Sequence, residues 1–302
     1  MNNSIKWLGW VSVVLLTALL LLQGCATTGG PAAPISGRMP RVALVLGGGA
    51  SRGFAHVGVL RVFEQEKIPI DLIVGTSVGS LIGAIYAANP NSFELEWLAF
   101  ELEKDDIFDF SLFSSRTGPV KGDKLAKFVA SHVKVKTIEE MQIPFYAVAC
   151  DLNTGEPVVF ERGPAELAVR ASSSIPGIFT PLSYNNRLLV DGGVLGSIAP
   201  ETARAKGADL VIAVNIGKAI TNYDTGNVVS ITLQAIDIMG NRIDRYKNKE
   251  ADIVIEPEVG NVGTMDFSKK KELMLAGIEA AQKAVPVIRQ AIDSFRATHP
   301  PR

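Results

Sequence analysis

Apolar positions follow two rhythms along this chain, and the points where one gives way to the other carry most of its information. The run Arg41-Val42-Ala43-Leu44-Val45-Leu46 is short, largely apolar and rich in β-formers, the pattern of a strand. Gly47-Gly48-Gly49-Ala50-Ser51-Arg52-Gly53 follows directly, and then Phe54, Val57, Leu60, Val62 and Phe63 recur at helical spacing. The same succession repeats at once. Ile70, Leu72, Ile73 and Val74 predict a second strand, Gly75-Thr76-Ser77-Val78-Gly79 a sharp turn, and Leu81, Ile82, Ala84, Ile85, Tyr86 and Ala87 a second helix. Consecutive units of this kind form a parallel sheet, with both glycine turns at the C-terminal edge of their strands.

Further strands are expected at 145–151, returning through Asn153-Thr154-Gly155 to Val158-Val159-Phe160, and at 188–191, 209–215 and 252–256. Helices are expected at 124–133, 165–174, 200–205, 228–239 and 268–295. Ser268 with Glu272 marks the start of the last helix, and Pro286 inside it predicts a kink or a division. Between 91 and 125 the chain is amphipathic and acidic, with Phe93, Leu95, Trp97, Leu98, Phe100 and Leu102 among glutamates. That stretch reads either as outer-layer helices or as a lid or acyl groove over the second turn.

The N-terminus breaks both rhythms. Residues 8–22 are almost all apolar, follow Lys6, and are shorter than the ~20 residues of a spanning helix. Residues 1–24 therefore read as a signal peptide. Leu22, Gln23, Gly24 and Cys25 resemble the bacterial lipobox, in which cleavage leaves a lipidated N-terminal Cys25; a plain signal and an uncleaved anchor are the other readings. Residues 26–40, rich in Thr, Gly, Pro and Ala, suit a flexible tether. Ala26 resembles the sorting signal for the outer membrane of a Gram-negative cell, which gives an expected location on that membrane facing the periplasm. Residues 41–302 contain no internal repeat and are expected to form one domain.

Charge is nearly balanced, with 30 Lys and Arg against 31 Asp and Glu, so there is no electrostatic case for a nucleic-acid partner. The 47% hydrophobic content is ample for one large core. Of the two cysteines, Cys150 lies in an apolar strand and reads as a small buried hydrophobe.

The two glycine turns carry the candidate chemistry. Gly75-x-Ser77-x-Gly79 between strand and helix is the pattern of a nucleophile elbow, whose serine is held on a strained turn; the alternative is a serine that only caps the helix. The 47–53 turn lacks the Gly-Lys-Ser/Thr ending of a P-loop and the acid closing the second strand of a dinucleotide site. An oxyanion hole for an intermediate at Ser77 is the reading that uses both turns. Arg52 either locks that turn, meets a phosphate or is a plain exposed cation. The histidines are His56, His132 and His299, and none is placed for a late-chain triad; His56 reads as a structural residue behind the glycine turn. The acids at 105, 106 and 109 lack the spacing of a calcium loop. Asp191-Gly192-Gly193, closing an apolar strand, presents a carboxylate on a tight turn, which would supply the missing base as a serine–aspartate dyad.

In this order, the motifs at 47–53, 75–79 and 191–193 resemble those of the patatin-like phospholipases, in particular the bacterial branch similar to neuropathy target esterase. His56-Val57-Gly58-Val59-Leu60, Lys121-Gly122-Asp123, Asp151-Leu152-Asn153-Thr154-Gly155, Arg170-Ala171-Ser172 and Pro176-Gly177-Ile178-Phe179-Thr180-Pro181 add to the likeness, which covers roughly 41–205 and weakens towards 280. The resemblance implies a three-layer α/β/α sandwich with a mostly parallel central sheet. It also implies a serine hydrolase that cleaves acyl esters of membrane lipids, of phospholipase A or lysophospholipase type, without metal or cofactor. Ser77 would be the nucleophile, Asp191 the base, and the backbone of Gly47, Gly48 and Gly49 the oxyanion hole. Arg52, Gly53, Gly75, Gly79, Gly192 and Gly193 would shape the turns. A non-catalytic lipid-binding or lipid-carrying lipoprotein is the alternative, with a nucleotide-binding protein third.

Overall fold

The computed structural model describes residues 37–115, 118–217, 226–263 and 265–300. The signal-like segment and Cys25 lie outside them. In chain order the elements that position the site are β1 (Val42–Leu46), α1 (Phe54–Gln65), β2 (Leu72–Thr76), α2 (Val78–Ala88), α3 (Ser92–Glu101), α4 (Asp123–His132), β3 (Phe145–Asp151), β4 (Pro157–Phe160) and α5 (Ala165–Ser172). They continue with β5 (Leu182–Tyr184), β6 (Arg187–Asp191), α6 (Pro200–Ala205), β7 (Leu210–Val214), α7 (Val228–Lys247), β8 (Ile253–Ile255) and α8 (Lys270–Thr298).

Among the described residues eight strands form one sheet in the order β8-β7-β1-β2-β3-β6-β5, with β4 also paired to β3. The strands β8, β7, β1, β2 and β3 are mutually parallel, and β4, β5 and β6 add antiparallel pairings. Every residue of β1 is buried, because alternate side chains enter two separate cores. Val42, Leu44 and Leu46 join a large cluster with residues of α1, α2 and α8, whereas Ala43 and Val45 join a smaller one with Ala203 of α6. A sheet covered on both faces in this way accounts for the unbroken apolar runs of its parallel strands. It makes the domain a mixed α/β three-layer sandwich with a mostly parallel sheet.

One feature of the register brings distant residues together. Strand β4 occupies one edge of β3 from Ala147 to Cys150, so β2 and β6 must share the other edge. Along it, Thr76 of β2 pairs with Val148, and the next position, Ala149, pairs with Asp191 of β6. The residue after Thr76 is Ser77. Ladder pairing thus delivers a serine and a carboxylate 114 residues apart to the same point on one strand.

Helix α8 runs unbroken through Pro286 rather than dividing there. Pro286 and Gln282, whose carbonyl loses its helical donor, are both exposed, which puts the break in the hydrogen-bond ladder on the solvent side of the helix. The start of α8 is also set differently from the expected Ser268–Glu272 pair. The Asp266 side chain accepts the Ser268 N–H, a short 3-10 turn follows, and the α-helix begins at Lys270. Helix α7 extends eight residues beyond the apolar repeat that predicted it, ending at Lys247. Among the described residues no helix is long and apolar enough to cross a membrane.

Candidate active site

Ser77 stands at the hinge between β2 and α2 with φ 54° and ψ −125°, a backbone conformation that costs a non-glycine residue about 1–3 kcal/mol. The surrounding chain enforces it. The Ser77 N–H donates to Ser172 Oγ at 2.9 Å, and that hydroxyl donates in turn to Val148 O at 2.6 Å. The Ser77 carbonyl accepts the Ser80 N–H at 2.8 Å and the Ser80 hydroxyl at 2.6 Å. Gly79 lets the first turn of α2 press against the end of β1, since a Cβ there would stand 2.1 Å from Leu46 O. A helix N-terminus is thereby aimed at the turn, where it favours developing negative charge.

Asp191 closes β6. Its N–H donates to Ser174 O at 3.0 Å, and its Oδ1 accepts the Gly193 N–H at 2.7 Å. Its Oδ2 accepts the Ser77 hydroxyl at 2.5 Å. Both side chains are buried, Ser77 5% and Asp191 4% exposed. Burial pushes the Asp191 carboxyl up from the ordinary 3.8 to about 6, against the opposing effect of the hydrogen bonds from Ser77 and Gly193. A carboxylate so raised is a stronger base than one in water and is still ionised at neutral pH.

The glycine turn lies beside Ser77, with the Cβ position of Gly48 3.3 Å from the Ser77 Cβ. Its amides are not equivalent. The Gly47 N–H donates to Val214 O at 3.0 Å and the Gly48 N–H to Ser197 O at 2.8 Å, while those of Gly49 and Ala50 have no acceptor among the described residues. Gly47 lines no part of the cleft, whereas Gly48, Gly49 and Ala50 do. Of the three glycines expected to form the cradle, two have their N–H groups bound within the fold. Gly47 belongs to the scaffold, Gly48 is held by Ser197, and the amides open to a ligand are those of Gly49 and Ala50.

His56 sits behind this turn, fully buried, with its Nε2 2.8 Å from Gly47 O. Burial lowers its pKa to about 4, so the ring is neutral and donates to that carbonyl. Gly47 C=O and Gly48 N–H belong to one peptide plane, which is clamped between His56 and Ser197. Ser197 is held in turn by Asp244 of α7, which accepts its N–H at 2.8 Å and its hydroxyl in a shorter bond. Arg52 is 4% exposed, so the turn is locked from within: its Nε donates to Ile216 O at 3.0 Å and its Nη2 lies 4.0 Å from Asp237 of α7. The exposed-cation reading of Arg52 does not hold. Gly53 packs against the Val78 side chain, Gly75 against the backbone of Gly79 and Ser80, and Gly192 against Val148 O.

Arg170 of α5 braces the other wall. It donates to Lys121 O, to Thr180 O at 2.7 Å and to Ser174 Oγ at 2.5 Å, so one buried guanidinium ties together three loops. Ser174 is the residue whose carbonyl receives the Asp191 N–H. Asp109 accepts the N–H groups of Gly122 and Asp123, which makes that acid a cap for α4.

The cleft above the pair has a volume of about 100 Å³. Its roof is α7, through Leu233, Ile236, Asp237, Gly240, Asn241 and Asp244. None of the described residues of 91–125 lines it, and α3 packs instead on α1 and α2. Sequence reasoning did not find Ser197, Asp244 or the roof. The available signal was Asp237 and Asp244, seven residues apart on the face of α7 that also carries Leu233, Ile236 and Gly240.

A buried hydroxyl–carboxylate pair under a glycine turn, on a mixed three-layer sandwich, defines the class of protein. The sequence profile of the patatin-like phospholipase family matches residues 44–203, just over half of the chain, and the protein belongs to that family. It is 36% identical over 177 residues to an NTE family protein of Mycobacterium tuberculosis, covering 59% of this chain and 49% of that protein. It is 28% identical over 266 residues to lysophospholipase NTE1 of Meyerozyma guilliermondii, covering 78% of this chain and 18% of that protein. The chain thus spans about half the length of the first relative and a fifth of the second. Among solved structures, VipD from Legionella pneumophila has the same fold, with TM-score 0.56 at 13% identity over 85% of this chain and 68% of that one.

Proposed function

We propose that this protein hydrolyses acyl ester bonds of membrane lipids through a Ser77–Asp191 dyad. The observation that carries the reading is the 2.5 Å hydrogen bond from the Ser77 hydroxyl to a buried carboxylate whose pKa stands at about 6. Asp191 takes the Ser77 proton as Oγ attacks the ester carbonyl, and the oxyanion turns towards the Gly49 and Ala50 amides. The protonated Asp191 then gives its proton to the leaving alkoxide as the C–O bond breaks, leaving an acyl-Ser77. Water attacks this ester with Asp191 as base again, and the fatty acid departs. No step requires a metal.

Family membership and the yeast lysophospholipase relative support a phospholipid or lysophospholipid as substrate. A lipid carrier on the same fold would have no use for a buried carboxylate bonded to the Ser77 hydroxyl, and that pair is what favours turnover over carriage. Incubation of the full chain with phosphatidylcholine, lysophosphatidylcholine and triacylglycerol, followed by product analysis, is expected to yield free fatty acid from at least one phospholipid. Head-group release without fatty acid, or no product from any of them, would refute the reading.

We further propose that residues 1–24 are removed, that Cys25 carries the lipid, that 26–40 is a tether to the 41–302 domain, and that the protein sits on the outer membrane facing the periplasm. The lipobox-like Leu22-Gln23-Gly24-Cys25 supports this. Growth with an alkyne fatty acid is expected to label the wild type and not Cys25→Ser; equal labelling of both would exclude Cys25 as the site.

A further inference from the structure

Helix α7 has two faces, and only one belongs to the cleft. The opposite face bears Val228, Ile231, Ala235, Ile238, Arg242, Arg245 and Lys249, the last just beyond the helix, spaced alternately three and four apart and all exposed. Met239 and Tyr246 flank the stripe at 56% and 71% exposure, and Val228 and Ile231 stand 79% and 52% exposed. The stripe is apolar over its first half and cationic over its second. Both carboxylates of α7 are turned away from it, Asp244 buried against Ser197 and Asp237 towards Arg52. Arg242 and Arg245 form no ion pair among the described residues.

We propose that α7 seats the protein on an anionic phospholipid surface, its outward stripe in the interface and its inward face over Ser77. The choice of a lipid surface rests on the acyl hydrolase reading; the choice of an anionic one rests on the charge of the stripe. Apolar side chains beside cations, with no acid at any position of the stripe itself, are the composition of a helix lying in a membrane interface. Nearby acids, Glu250 and the Glu256 and Glu258 that share a groove with Arg245, lie beyond the C-terminal end of the helix. The same helix roofs the cleft, so docking there brings lipid to the rim of the site. The other exposed apolar stripe, Phe93, Trp97 and Phe100 on α3, lacks both properties: it lies among Glu94, Glu96 and Glu101 and lines no part of the cleft.

The test is amide hydrogen exchange of the full chain reconstituted with phosphatidylcholine vesicles, with and without phosphatidylglycerol. Exchange over 228–249 is expected to slow when the anionic lipid is present, and the double variant Arg242→Glu/Arg245→Glu to lose that difference, each cation contributing roughly fivefold to surface affinity. The exposed pair Ile231→Glu/Met239→Glu is expected to hydrolyse vesicles about tenfold more slowly while a water-soluble short-chain ester is cleaved at an unchanged rate. Identical exchange with both lipids, or an Arg variant that keeps the wild-type difference, would overturn the proposal. Slowed exchange in a protein that cleaves no ester would leave the docking surface standing and remove the hydrolase reading instead.

Discussion

Ser77→Ala is expected to bring ester hydrolysis down by roughly 10⁴- to 10⁶-fold, the scale on which loss of a covalent nucleophile is felt. The fold should survive, because the bonds that fix the turn run through the Ser77 backbone and through Ser80 and Ser172, none of which the substitution removes. Alanine leaves the positive φ in place. Ser77→Gly is expected to lose the same activity and to gain about 1 kcal/mol of stability, since glycine adopts that conformation without strain. The pair of variants separates chemistry from strain: assay both on a short-chain ester and melt both in denaturant. Residual activity near the wild-type level in either one would mean that another group attacks the ester.

Asp191→Asn is expected to be both inactive and more stable. Without a carboxylate the Ser77 proton has no acceptor, and loss of a base's function in a serine hydrolase costs about 10⁴-fold. The stability gain follows from the raised pKa. The folded protein titrates Asp191 at about 6 and the unfolded chain at the ordinary 3.8, so between these values the folded state holds the extra proton. Stability from this group is therefore highest below about pH 4, falls as pH rises through the window, and stays reduced above pH 6, by about 3 kcal/mol at most. Asparagine removes that penalty, so the variant should exceed the wild type in denaturant midpoint at pH 8 and lose most of the advantage at pH 4. The same titration sets the rate. Wild-type kcat/KM should rise with pH to a plateau, with its half-point near pH 6, as Asp191 loses its proton. A profile flat from pH 4 to 8 would assign the base to another residue.

Much of this architecture was legible because the chemistry lies where sequence rhythm changes. The strand–turn–helix units around 47–53 and 75–79 announce themselves by period and by glycine, and the Asp191 turn closes an apolar run. What the sequence leaves implicit is proximity. Ser77 and Asp191 meet because β2 and β6 share one edge of β3, a register that no local pattern encodes. The donor set was legible only in part for the same reason. Which amides of the glycine turn remain open depends on Val214 and Ser197, contributed from far along the chain. The roof was the least legible element. Amphipathicity at 91–125 and at 228–247 looks alike until the structure assigns the inner face of one to α1 and α2 and of the other to the cleft. Pro286 follows the same logic, since its effect on α8 depended on which side of the helix packs against the domain.

The activated hydroxyl is reached most directly by a fluorophosphonate, which forms a covalent bond only with a serine whose proton is being drawn away. Intact-mass and peptide analysis of the labelled full chain should find one adduct, on the peptide carrying Ser77, and none in Asp191→Asn. An unlabelled wild type, an adduct on another serine, or equal labelling of the Asp191 variant would contradict the dyad.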